Sequence, residues 1–197
     1  VRESTHFDDP PIPVIRPWRA PGDSLESLIA LFSSGGTVQH PALSATELLE
    51  WSDATTQHWQ KLFQVYPEAL EFDCDIYGVK TVRGLLRHIV AVELRYSERL
   101  SGEPVTAYEE LPDGSADLLF GLHRQAFERY RKLLVDDSVD WEEKLEFKTL
   151  SAGTITATRK KVLFHAMLHG IRHYAQLATL VRQHGVKPDW AMDFLMS

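Results

Sequence analysis

Residues 156–184 read Thr156-Ala-Thr-Arg-Lys-Lys-Val-Leu-Phe-His165-Ala-Met-Leu-His169-Gly-Ile-Arg-His173-Tyr-Ala-Gln176-Leu-Ala-Thr-Leu-Val-Arg-Gln-His184. The pattern is that of one long helix. His165, His169 and His173 recur every four residues. A helix turns roughly 100° per residue, so these side chains lie on one face, a turn apart. Two imidazoles so spaced can reach one metal ion. Val162, Gln176, Leu177 and Leu180 share the face. The histidines therefore sit on or beside an apolar stripe that points inward. Spacing alone leaves two pairs open, His165 with His169 or His169 with His173.

Working outward, the chain offers three more helices. The first starts after Ser44, with Glu47 completing a capping box, and stops at about Val65, before Pro67. Its stripe is Leu48, Trp51, Thr55, His58, Leu62 and Val65, which turns His58 inward. The second runs from near Thr81 to Leu100. His88, Val92 and Arg95 share one of its faces, and Glu93 lies well round from them, on the side expected to be solvated. The third spans about Ser115 to Val135, with Leu119, Leu122, Ala126, Tyr130 and Leu133 inward and His123 at the boundary. Residues 68–79, 101–114 and 136–149 read as connectors, the last plugged by Trp141 and Phe147. Residues 150–159 lead into the final helix, capped by Thr156 or Thr158. Gly185 ends that helix, and a tail with Pro188, Trp190 and Phe194 is expected to fold back. Few β-branched runs and no paired hairpin signal predict an all-α bundle over residues 41–197. Residues 1–40 form a separate region. Pro10, Pro11, Pro13, Pro17 and Pro21 predict an extended arm, followed by a short helix over Ser24–Phe32. Both are expected to pack on a bundle, their own or a partner's.

A chain of 197 residues with 44% hydrophobic and 25% charged content can bury a real core. Its net charge of −7 disfavours gripping nucleic acid through phosphates. No apolar run is long enough for a membrane span, and the first residues lack the basic-then-apolar layout of a secretory signal. The single cysteine, Cys74, excludes an internal disulfide and fits a reducing cytoplasm. Cys74 reads as a small buried residue. There is no Rossmann glycine pattern, no Cys-x-x-Cys pair and no local setting for a Ser-His-Asp triad.

His169-Gly-Ile-Arg-His173-Tyr-Ala-Gln176-Leu resembles the last-helix signature of the DinB-like (DinB/YfiT) family, His-x-x-x-His-x-x-Gln followed by an apolar run. The family's third metal-binding histidine lies on its second helix and matches His88, in Leu-Leu-Arg-His88-Ile-Val-Ala-Val-Glu. The resemblance covers roughly residues 43–184. It implies an all-α, antiparallel four-helix bundle and a divalent metal held by His88, His169 and His173. The trailing Gln176 is what selects His169 and His173 over His165 and His169.

A three-histidine set leaves coordination positions open, the layout of catalytic zinc rather than of a closed structural site. Imidazole also suits nickel, iron and copper; zinc is the expected physiological ion and nickel an expected purification occupant. The resemblance implies thiol chemistry, S-transfer or isomerisation with a low-molecular-weight thiol such as bacillithiol or mycothiol. A metal-dependent thiol S-transferase acting on a small electrophile is therefore the leading expectation. A non-catalytic metal-binding or ligand-sensing bundle and a metal-dependent hydrolase are the alternatives. Helical phase places His58, as a proton acceptor, and Arg95, as a carboxylate holder, in the walls of the metal pocket, with Tyr130 nearby. The expected partners are a small-molecule substrate and a thiol, within a homodimer, without nucleic acid or membrane.

Overall fold

The structure, a computed structural model, describes residues 42–149 and 153–196. The arm and short helix expected within residues 1–40 lie outside the described residues. Four helices make up the fold: α1 (Ala45–Val65), α2 (Val82–Leu100), α3 (Ala116–Leu134) and α4 (Arg159–Gln183). Each begins at a hydroxyl. Ser44, Thr81, Ser115 and Thr158 accept the amide three residues on, satisfying a donor that the first turn leaves open. At Ser44 the capping box is complete, because the Glu47 carboxylate accepts from the Ser44 amide at 2.9 Å. At the far end of α4, Gly185 takes φ of 85°, a left-handed conformation suited to glycine, and releases the chain into the tail.

The helices form an antiparallel four-helix bundle. α2 packs against α3 and α4, and α1 packs against the same two, so α1 and α2 lie on one diagonal. None of the described helices is long and apolar enough to cross a membrane.

One expectation fails between residues 144 and 158. The segment read as a plugged connector is a hairpin, β1 (Lys144–Thr149) paired antiparallel with β2 (Gly153–Thr158). The register sets Phe147 opposite Ile155 and Lys144 opposite Thr158. Both strands alternate, and Gly153 supplies φ of 69° where β2 begins. The final helix consequently starts at Arg159 rather than Thr156, and Thr158 is its cap. Arg159 pins the hairpin to the bundle by donating to the Glu143 carboxylate at 2.7 Å and the Leu100 carbonyl at 2.6 Å.

The apolar core is divided. One cluster gathers Trp59, Phe63, Leu85, Ile89, Phe120, Tyr174 and Val181. The other gathers Leu48, Leu94, Phe127, Tyr130, Leu163 and Met167. Where the two clusters meet, each helix contributes buried small or polar residues: Ser52, Thr55 and Thr56 on α1, Glu93 on α2, His123 on α3, Gly170 and His173 on α4. A polar layer thus crosses the middle of the bundle.

Candidate metal centre

At the α2–α4 edge of that layer, His88, His169 and His173 converge. One ring nitrogen from each lies within 4.8 Å of the other two. His88 Nε2 is 3.2 Å from His169 Nε2. Four-residue spacing stacks His169 over His173 with ring centroids 4.4 Å apart, and His88 meets both from α2 at 4.9 and 5.0 Å. His165, one turn before His169, is exposed and packs edge-on against Tyr96. The structure thus brings together the set that the resemblance selected and leaves His165 to one side.

The electrostatics favour neutral rings. Burial, then the field of His173 and Arg172, pushes the His88 imidazole down to about 4. Burial and the surrounding His173, His88 and Arg172 push His169 down to about 2. Burial lowers His173 too. At neutral pH the rings therefore hold lone pairs rather than second protons, as metal ligands must. The tautomer of His173 follows from its neighbours. The Arg172 guanidinium, which only donates, lies 3.1 Å from Nε2, so that nitrogen offers its lone pair to a cation. Nδ1–H then donates to the Gln176 Oε1 at 2.6 Å, the outer-shell bond that orients a ligating histidine. These residues fit a divalent cation: three imidazole nitrogens held neutral by burial converge within 4.8 Å of one another.

A family model describing the DinB family matches residues 38–196. The chain belongs to the DinB family. No curated protein matches it. As a DinB-family protein with this three-histidine cluster, the chain has a site able to hold a divalent metal.

A cavity of about 520 Å³ opens beside the cluster in this DinB bundle, lined by His88, His165 and His169 together with Val92, Arg95, Tyr96, Arg99, Tyr108, Phe147, Lys148 and Arg172. Arg95 is where helical phase put it, on the same wall as His88 and Val92. His58 is elsewhere. Its ring stacks on Trp190 of the tail at 5.1 Å, and it is not among the residues lining this cavity. The buried face of α1 keeps Leu48, Thr55 and Leu62 from the expected stripe but widens to Leu49, Ser52, Thr56, Trp59 and Phe63, with Trp51 and His58 half-buried at its edge and Val65 exposed. α1 also lies diagonal to α2, facing α3 and α4. Tyr130 is fully buried and donates to the Glu93 carbonyl at 2.6 Å, away from the cavity lining.

Two residues reverse their expected settings. Glu93, read as solvated, is 0% exposed, and His123, read as a boundary residue, is 2% exposed. The His123 ring bridges the Glu93 carboxylate from Nδ1 at 2.8 Å and Asp53 from Nε2 at 3.0 Å, and Arg131 also bonds Asp53. Burial works against a charged His123, but Glu93 and Asp53 outweigh it and raise the ring to about 9. With both nitrogens held by carboxylates, the ring is a doubly donating imidazolium. A signal for Glu93 was present: Leu86, Val90, Glu93, Ser97 and Leu100 form a single stripe at helical spacing.

Proposed function

We propose that this DinB-family protein is a metal-dependent enzyme of the thiol S-transferase type, with His88, His169 and His173 as ligands to one divalent cation. The observation that carries the reading is the convergence of three imidazole nitrogens within 4.8 Å at the edge of an open cavity. Zinc is the physiological ion of choice for such a donor set, and nickel is an alternative occupant. A cation held there supplies Lewis acidity, which lowers the pKa of a thiol that meets it. The net reaction is R–SH plus R′–X giving R–S–R′ and HX, with the thiol proton leaving alongside the displaced group.

The chain's own residues supply the rest. Gln176 fixes the tautomer of His173. Arg95, Arg99 and Arg172 set a positive field over the cavity, which favours thiolate over thiol. Tyr96, Tyr108 and Phe147 provide an apolar wall on which a small electrophile can rest. Hydrolysis is the weaker reading, because among the described residues no carboxylate lines the cavity to serve as a general base for water.

The test is elemental analysis of protein purified without a nickel column, followed by turnover assays with glutathione, cysteine, bacillithiol and mycothiol against a panel of alkyl and aryl electrophiles. One cation per chain, lost in His88→Ala, His169→Ala and His173→Ala but kept in His165→Ala, is the expected metal result. Metal with no turnover of any thiol would replace the enzyme by a ligand-sensing bundle. Full metal content in His169→Ala would remove the site itself.

A further inference from the structure

The cavity beside the histidines stands apart from the rest of the molecule in charge. The chain carries 28 acidic and 21 basic residues, so a patch of average composition holds more carboxylates than cations. Among the described residues, this cavity is lined by Arg95, Arg99, Lys148 and Arg172 and by no Asp or Glu. Five arginines elsewhere are satisfied within the fold. Arg83 pairs with Glu71, Arg129 with Glu103, Arg131 with Asp53 and Arg159 with Glu143. Arg87 donates to the Tyr108, Leu111 and Pro112 carbonyls. Among the described residues, none of the four cavity cations pairs with a carboxylate.

Two of the four are arranged for a ligand. Arg95 and Arg99 are neighbours at i and i+4 on α2, where like charges repel. The Arg99 guanidinium lies over the Phe147 ring at 4.2 Å and the Tyr96 ring at 5.5 Å. Stacking engages the guanidinium face and leaves its in-plane N–H groups free for an oxygen acceptor. Neither arginine is fully exposed, so both charges sit where water screens them less than at the open surface. The hairpin brings Phe147 and Lys148 to the cavity, which is of a size that small-molecule sites commonly have.

We infer that this cavity binds an organic anion, a small carboxylate whose flat or apolar body rests on Tyr96, Tyr108 and Phe147 while its charged end meets Arg95 and Arg99. The inference rests on the reading of the adjoining histidines as a metal site, since the anion lies beside His88 and His169. The carboxylate can belong to the thiol or to its electrophile.

The test is calorimetric titration of the full chain, with metal content measured on every sample. The probes are 3-phenylpropanoate against 3-phenylpropanamide, and N-acetylcysteine against its amide. At least one acid should bind about tenfold or more tighter than its neutral amide, the loss expected when a charge-assisted hydrogen bond is removed. Added salt should weaken the acid and not the amide. Arg95→Gln combined with Arg99→Gln should abolish the preference while the metal stays bound. If that pair fails to fold, Lys148→Gln, on the exposed side of the hairpin, should reduce the preference by a smaller factor. A preference confined to 3-phenylpropanoate assigns the anion to the electrophile, and one confined to N-acetylcysteine assigns it to the thiol. Either supports the inference. Equal binding of acids and amides to metal-loaded protein, or no binding of either acid, overturns it. Acid preference retained in wild-type protein that takes up no divalent cation when one is supplied keeps the anion site and overturns the metal reading alone.

Discussion

The buried ion cluster of the polar layer makes the pH dependence of stability a direct test of the fold. Glu93 and Asp53 raise the His123 ring to about 9 in the bundle, against about 6.5 for an ordinary imidazole. Between those values the folded chain holds a proton that the unfolded chain has released, so stability falls as pH rises. The contribution is fully present below about 6.5 and is lost as pH passes through about 9. Because the ring is almost wholly buried, solvent screening does not erase this effect. Its size is on the order of 3 kcal/mol, a large share of the roughly 5–15 kcal/mol that holds a domain folded. For a urea slope of about 2 kcal/mol/M, the unfolding midpoint should drop by about 1.5 M from pH 6.5 to pH 9.

On the acid side the sign reverses. His88 and His169 take up protons in the unfolded chain near 6.5 but resist them in the folded one down to about 4 and about 2. Metal-free protein should therefore be most stable near pH 6.5 and lose stability in both directions. The assay is urea unfolding with a chelator present, from pH 5 to pH 9, on wild type and His123→Gln. The variant should be destabilised at pH 6.5 and lose the alkaline decline. Should the variant fail to fold, proton NMR titration of the His123 ring in the wild type reads the same quantity. Flat stability from pH 6.5 to 9, or a His123 ring that titrates near 6.5, refutes the account of the cluster.

Gln176→Ala should leave the three histidines in place but free the His173 ring, weakening metal affinity about 10- to 100-fold with little change in metal-free stability; competition with a fluorescent chelator measures it. Gly170→Ala should destabilise by about 1–2 kcal/mol, because its Cβ would lie 3.0 Å from Glu93 Oε1 and Glu93 is held by His123. Gly121→Ala on α3, whose Cβ meets only Arg124 at 3.7 Å, should instead stabilise by up to about 1 kcal/mol through helix propensity. Thermal unfolding of the two glycine variants side by side checks both signs.

The contrast between those two glycines shows what the sequence carries and what it does not. Helix starts were legible because capping is local: a hydroxyl, three residues and an amide suffice, and Ser44, Thr81, Ser115 and Thr158 each behave that way. Spacing on one helix was legible for the same reason, so His165, His169 and His173 share a face and His88 shares one with Arg95, whereas the choice of His169 with His173 came from the resemblance carried by Gln176. The hairpin was passed over although its alternation and Gly153 were visible, because the helical segments dominated the pattern. His58 went wrong for a different reason. A helical stripe is broad: Leu48, Thr55 and Leu62 are buried as expected, but packing against α3 and α4 extends the buried face to Trp59 and leaves His58 half-buried at its edge, against Trp190.

Glu93 marks the remaining boundary. A carboxylate in a core stripe normally argues that the stripe is misplaced, since burying a charge is costly unless it is paired. Its partner, His123, is 30 residues away on another helix, and the partner's partner, Asp53, is on a third. No window of sequence contains that compensation. Glu93 Oε1 also fills the space left by the missing side chain of Gly170, the residue between two of the candidate ligands. The ion cluster and the histidine cluster are therefore two faces of one layer. A substitution that displaces Glu93 bears on the backbone that carries His169 and His173. It should alter metal affinity without touching a ligand, whereas an equally destabilising core truncation outside the layer, such as Leu85→Ala, should leave the affinity of the folded protein unchanged. Parallel metal titrations of Glu93→Gln and Leu85→Ala separate the two cases, and equal affinities would mean that the layer serves stability alone.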